Sequence, residues 1–313
     1  MTRFLIKSFY LGVLGVMLGR LAPAQSAERT TTTAWRDGKF HVDVAGAIGR
    51  SSIILGQPNT TPDEAMPLGN GRLGVAVWSA DGFTAQLNRA DTLPDRLSPG
   101  EVVIPGLKVL SEAKDYSARL NLYDGEFEER GAGMTATAYV QPDTDTLIID
   151  VTGAPPGKEQ MAQLRLWAPR TPNAAAKGKI GWLSQSWLDD KNPGASGRPF
   201  GSLSAITAEG RDVSATVTGS LTVTLSFMPY ADGHFRIIVA APHYDGRENA
   251  LATARVALVA GDSAAHKAWW HAYWHRTAVI KITSRDGSGE YLENLRNIYL
   301  FAAAAEKGGE YPG

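Results

Sequence analysis

The chain contains no cysteine. Disulfides, thiolate metal centres and a cysteine nucleophile are thereby excluded, and the fold must be held by its core alone. An excess of one charge is also missing. The formal net charge is -1 at pH 7, which argues against a nucleic-acid or anionic-membrane surface, because both rest on basic charge. After the first twenty residues no segment is apolar for long enough to span a bilayer. The serines lack a G-x-S-x-G elbow, so a serine hydrolase is unsupported. No repeat of fixed period appears, and no low-complexity tract beyond Thr30 to Thr33.

What is present is an ordinary globular balance, 43% hydrophobic and 20% charged over 313 residues, enough for one large or two ordinary domains. Eight Trp and ten Tyr suit a protein whose rings stack on sugars, and suit an all-β core equally well. The N-terminus reads as an export signal. Arg3 and Lys7 form its basic end, Phe9 to Leu18 its short apolar stretch, and Ala22-Pro23-Ala24 or Ala27 its cleavage site. Residues 1–27 are thus expected to be a signal peptide, and the mature chain secreted or periplasmic with no membrane attachment. Glu28 to Gly38 is polar and reads as loose.

From there to about Pro242 nearly every signal is a strand. Candidates are Val102 to Leu110, Tyr116 to Leu122, Met134 to Val140, Thr146 to Val151 and Gln163 to Trp167. After them come Leu203 to Ala208, Val213 to Thr218, Leu221 to Phe227 and Phe235 to Ala241. Met134 to Val140 alternates at period two, whereas Leu147 to Val151 is nearly continuous, as for a strand covered on both faces. Many short strands with regular turn signals indicate a sandwich or barrel. Pro169 to Pro199 breaks the pattern and reads as a long loop. Beyond it the character turns helical over Glu248 to Val259, Ser263 to Thr277 (capped by Asp262 or Ser263) and Ser288 to Glu306. Trp269, Trp270, Tyr273 and Trp274 share one face of the second helix, which reads as packing rather than as a ligand stripe. Leu292, Leu295, Tyr299 and Ala302 share one side of the third.

The stretch Glu64-Ala65-Met66-Pro67-Leu68-Gly69-Asn70-Gly71-Arg72-Leu73-Gly74 contains G-x-G-x-x-G at Gly69, Gly71 and Gly74. A dinucleotide fingerprint needs a strand before the glycines and a helix after them. Here Asp63 to Pro67 is polar and proline-broken, and Val75 to Trp78 is β-branched and aromatic, so the nucleotide reading is rejected. The glycines instead read as a tight turn feeding a strand, followed by a hairpin at Asp81-Gly82.

In sequence order, E-A-M-P-L-G-N-G-R-L-G, a strand, a turn and Q-L-N-R-A-D-T-L resemble the start of glycoside hydrolase family 95. That family's wording is close to A-x-P-x-G-N-G-R-L-G-A-M-V and then Q-L-N-E-D-T-L-W. This chain departs from it at Arg89, Ala90 and Pro94. The later H-K-A-W-W-H-A-Y-W-H-R-T and Y-L-E-N-L-R-N-I-Y-L-F-A-A-A-A resemble the same family. The resemblance implies a mainly β fold, a β-super-sandwich followed by linker helices and the first helix of an (α/α)6 barrel that is otherwise absent. It divides the mature chain into a sandwich over 28–243, a helical linker over 244–285 and the start of the barrel over 286–313. It further implies an inverting hydrolase of α-L-fucosides or related α-L-galactosides, with carbohydrate and the chain's own downstream barrel as partners.

Candidate acidic clusters within the chain are Glu126-Glu128-Glu129, Asp143-Asp145 and Asp189-Asp190. They read as solvated charges at turns and strand ends with ordinary pKa values, since tuning needs burial or a close like charge. The family's acid glutamate and its water-activating pair belong to the barrel, beyond Gly313, so no catalytic residue is carried over and the chain alone is expected to be inactive. His271 and His275 are spaced i,i+4, but position 272 is Ala where H-E-x-x-H needs glutamate, so no metal site is expected, nor any cofactor. Asn70, Arg72, Asn88 and Asp91 remain as substrate-binding or interface candidates, either lining the sugar site or fixing the domain interface. Two other readings stand beside the hydrolase. One is a non-catalytic carbohydrate-binding or scaffold sandwich module; the other is a phosphorylase on the same architecture.

Overall fold

The computed structural model describes residues 35–306 apart from 95 and 192. The expected signal peptide, residues 1–27, lies outside the described residues. The chain falls into two compact units divided between Val42 and Asp43. In the first, Trp35–Arg36 pairs antiparallel with Lys39–Phe40. The turn between them takes positive φ at Asp37 (51°) and Gly38 (74°), the geometry of a type I′ hairpin. The stretch read as loose therefore ends in a hairpin.

The second unit is built on two antiparallel sheets. The larger has nine strands, in spatial order Asn173–Lys177, Ile180–Leu188, Pro199–Glu209, Phe235–Ala240, Thr146–Thr152, Met134–Val140, Glu126–Gly131, Ser117–Asn121 and Ile53–Leu55. The smaller has seven, in the order Arg211–Gly219, Thr222–Met228, Gln160–Arg165, Gly100–Ile104, Phe83–Arg89, Leu73–Ser79 and Met66–Gly69. Alternate residues of both sheets meet in one core that includes Phe83, Leu87, Phe127, Ile149 and Phe227, the packing of a sandwich. In the near-continuous run Leu147 to Val151, Leu147 and Ile149 enter this core. Ile148 turns the other way, onto Tyr139 and Ile238. That strand is covered on both faces, as its composition requires.

Two sequence expectations need correction. Val102 to Leu110 is not one strand. The strand ends at Ile104, and Pro105–Leu107 forms a 3-10 turn leading into a short helix, Lys108–Ser111, because Pro105 has no N–H to continue the ladder. Nor is Pro169 to Pro199 a long loop. It contains the strands Asn173–Lys177 and Ile180–Leu188, paired through Lys177 and Ile180. The first is an edge strand of alanines with no buried residue, so no hydrophobic alternation marks it.

Among the described residues of this unit the α-helices are α1 (Val44–Gly49), α2 (Lys108–Ser111), α3 (Ala250–Ala257), α4 (Ser263–Arg276) and α5 (Ser288–Glu306). Asp262 caps α4, accepting from the N–H groups of Ala264 (2.9 Å) and Ala265 (3.2 Å). The aromatic face of α4 packs onto the sandwich at the turn around Gly125. The Trp274 indole donates to the Leu122 carbonyl at 2.7 Å, and a Cβ at Gly125 would lie 2.1 Å from Trp270 Nε1. Trp270 and Trp274 are fully buried, each contributing about 2–3 kcal/mol of apolar burial. Helix α5 follows through Phe301, stacked on Trp270 with ring centroids 4.8 Å apart.

Candidate functional site

The glycine stretch joins the edge strand of the smaller sheet to its neighbour. Met66–Gly69 pairs antiparallel with Leu73–Ser79, and the latter with Phe83–Arg89. A strand therefore does precede the glycines, on the sheet edge where Pro67 is tolerated. A second strand follows them, so the dinucleotide context is not met. Gly71 takes φ of +84°, a backbone region open to glycine.

Asn70 ties this turn together. Its Oδ1 accepts from the N–H groups of Arg72 (3.0 Å) and Leu73 (2.9 Å), while its Nδ2 donates to the carbonyls of Gln141 (2.8 Å) and Thr144 (2.9 Å). Those carbonyls belong to the connection between Met134–Val140 and Thr146–Thr152, so one buried amide joins the two sheets. Arg72 donates from Nε to Asp145 Oδ1 at 2.8 Å. Arg89, its side chain 5% exposed, is the hub. It grips Asp91 with Nε and Nη2, both at 2.7 Å, and reaches Asp145 Oδ2 from Nη1 at 2.5 Å. The same Nη1 donates to the Ala241 carbonyl at 2.5 Å. His243 Nδ1 completes the chain, 3.0 Å from Asp91 Oδ2.

Electrostatics follow from these contacts. Burial disfavours the charged form of Asp91, but the Arg89 guanidinium outweighs it and pulls the carboxyl down to about 2. Asp145 is likewise held below its ordinary range, burial being overcome by Arg89 and then Arg72. Both carboxylates are ionised and saturated with donors. They fix geometry; a general acid needs the opposite shift.

Of the four candidates, Asn70, Arg72 and Asp91 are brought together through Asp145 and Arg89. Asn88 is not part of that cluster. Side chains alternate along Phe83–Arg89, so Asn88 is exposed where Arg89 is buried. Asn88 lines a 510 Å³ cleft with Pro67, Arg72, Ala302 and Ala305. A second cleft of 610 Å³ lies over the ion-pair chain and adds Arg198, Phe200, His243 and Arg247 to its walls.

The acidic clusters also differ from the sequence reading. Asp145 is a half-buried partner of two arginines rather than a solvated turn charge. Glu126 and Glu129 lie within a strand and are buried. Burial pushes the Glu129 carboxyl up, although the Ser79 and Tyr116 hydroxyls donate to it. Glu126 is raised by the same cause despite Lys267 at 3.1 Å. Neither lines the cleft at the glycine turn or the one over the ion-pair chain. Asp189 accepts from Ser196 and is held below its ordinary range. His271 pairs with Asp124 (2.7 Å) and stacks on Tyr123. Among the described residues no group of three His, Asp or Glu has metal-site geometry.

Sequence reasoning read Asp145 as a solvated charge and assigned no site role to Arg89, Arg198, Phe200, His243 or Arg247. Nothing in the sequence ties His243 to Asp91, 152 residues away.

No protein-family model and no curated protein matches this chain. Among solved structures it is similar to a putative kojibiose phosphorylase from the human microbiome, at 12% identity and TM-score 0.50, over 81% of this chain and 41% of that one. It also aligns with a family GH92 inverting mannosidase from Bacteroides thetaiotaomicron (11% identity, TM-score 0.41, 72% and 34% covered). A bacterial glucoamylase complexed with acarbose gives 9% identity and TM-score 0.40, with 81% and 44% covered. The chain spans less than half the length of each. The likeness to the phosphorylase establishes a shared fold, the two-sheet sandwich described above.

Proposed function

We propose that this chain is the N-terminal, non-catalytic portion of an exported glycoside hydrolase acting on α-L-fucosides or related α-L-galactosides with inversion. The motif resemblance supports the family and substrate class, and the fold shared with a phosphorylase supports carbohydrate chemistry more broadly. One observation carries the reading: helix α5 leaves an apolar stripe uncovered. Its buried side mixes Glu293 and Asn297 with Phe301 and Ala305. Arg50 donates to Glu293 at 2.9 Å, and Asn297 donates to Ser51 at 2.9 Å. Its outward side leaves Tyr291, Leu292, Leu295 and Tyr299 exposed, Tyr299 at 71%. An uncovered apolar stripe opposite a buried side is the pattern of a helix with further helices to receive, as the first helix of a barrel would have.

In this reading the sandwich braces α5 through the glycine turn, and the catalytic carboxyls lie on the barrel. The test is hydrolysis of an aryl α-L-fucoside by the chain alone and by the product read in frame past Gly313. Turnover is expected only from the longer protein. Turnover by the chain alone overturns the assignment. A reading frame with no helical continuation, together with sugar binding by the chain, favours the binding-module reading instead.

A further inference from the structure

The 610 Å³ cleft over the ion-pair chain presents more donors than acceptors. Its acids are occupied. Asp91 receives two bonds from Arg89 and one contact from His243, and Asp145 is shared by Arg72 and Arg89. Asp245 is gripped by Arg247 through Nε at 2.6 Å and through Nη2. The cations are not exhausted. Arg72 keeps a partly exposed guanidinium, Arg247 is 75% exposed, and Arg198 is exposed with no acidic partner among the described residues. Four arginines against three aspartates leave the lining at +1 with His243 neutral, whereas the whole chain carries -1. A concave wall concentrates such an excess, and guanidinium forks match planar oxyanions. Pro199 and Phe200 supply an apolar wall beside them, suited to one face of a pyranose ring. At 610 Å³ the cleft has room for a sugar-sized organic ligand.

We propose that this cleft binds an acidic saccharide unit, a pyranose carrying a carboxylate or sulfate, with Arg198 and Arg247 on the anionic group and Phe200 against the ring. The proposal rests on the carbohydrate reading above and deepens it: the glycan carries a charged unit beside the neutral fucosyl or L-galactosyl unit.

Calorimetric titration of the purified chain tests this with trigalacturonate, galactose 6-sulfate, neutral galactotriose and sodium sulfate. Trigalacturonate or galactose 6-sulfate is expected to bind at least tenfold more tightly than galactotriose, and whichever binds better names the oxyanion. Affinity should fall with salt, and Arg198→Ala should weaken it about tenfold. Arg247→Ala should do the same; if it unfolds, Arg198→Ala, which removes no described ion pair, decides alone. Equal affinity for galactotriose overturns the proposal, as do sulfate binding as tightly as the sugars, unchanged affinity in Arg198→Ala, or no binding of either charged sugar. Charged-sugar binding without fucoside turnover by the longer protein would sink the hydrolase assignment and leave the cleft standing. Turnover without charge discrimination would do the reverse.

Discussion

The N–H of Gly71 donates to the carbonyl of Ala305 at 2.7 Å, so the glycine-rich turn is bolted to the last described turn of α5. A Cβ on neighbouring Gly69 would lie 2.4 Å from that same carbonyl oxygen and 3.1 Å from Leu73 O. The glycines here serve close backbone approach between an edge strand and a helix.

Gly69→Ala is therefore expected to cost about 1–3 kcal/mol, the usual range for overpacking against backbone that cannot yield. Urea denaturation measures the loss, and hydrogen exchange should show amide protection falling first in α5. Unchanged exchange in α5 would mean the turn does not hold it.

Arg89→Met removes the hub and leaves Asp91 with His243 and Asp145 with Arg72 as their remaining ionic partners, at an expected cost of about 3 kcal/mol near neutral pH, the low end for breaking a buried pair. The pH dependence has a definite sign. Asp91 and Asp145 have folded pKa values below their unfolded ones, so their contribution is present above about 3.9 and is lost as pH falls, for Asp91 through about 2. The gap between Arg89→Met and the parent should narrow in acid. A constant gap from pH 7 to pH 3 would show that the pairing is energetically silent.

Glu129 has the opposite sign. Its folded pKa is raised, so its contribution is complete below the unfolded value near 4.3 and is lost as pH rises through the folded value. Glu129→Gln keeps an acceptor for Ser79 and Tyr116 without the buried charge. It should flatten that descending limb and exceed the parent by about 1 kcal/mol at pH 8. Superimposable stability profiles of the two proteins from pH 4 to 8 would refute this account.

The double change Leu292→Ser and Leu295→Ser should leave this chain within about 0.5 kcal/mol of the parent, since both side chains are exposed in it. In the protein extended past Gly313 the same change should cost about 2–5 kcal/mol, the scale of core truncation. An equal and small effect in both would mean that nothing covers this face.

Much of the architecture can be read along the chain. Met134–Val140 and Ser288–Glu306 have the limits that alternation and capping assign, and Asp81-Gly82 turns the hairpin that its residues specify. The lapses are equally physical. Asn173–Lys177 is an edge strand of half-exposed alanines, which carries no periodic signal. Asp145 and Glu129 resemble any turn or strand-end carboxylate until their partners are known.

The positions of most strands and of the three C-terminal helices were determined by the sequence, because side-chain periodicity, caps and glycine turns act over a few residues. Only the tertiary structure decided that Asp145 is shared by Arg72 and Arg89, that Glu129 is buried, and that α5 buries Glu293 and Asn297 while Leu292 and Leu295 stay exposed. Desolvation and Coulomb attraction depend on distances between strands, and Arg72 and Arg89 reach Asp145 from 73 and 56 residues away.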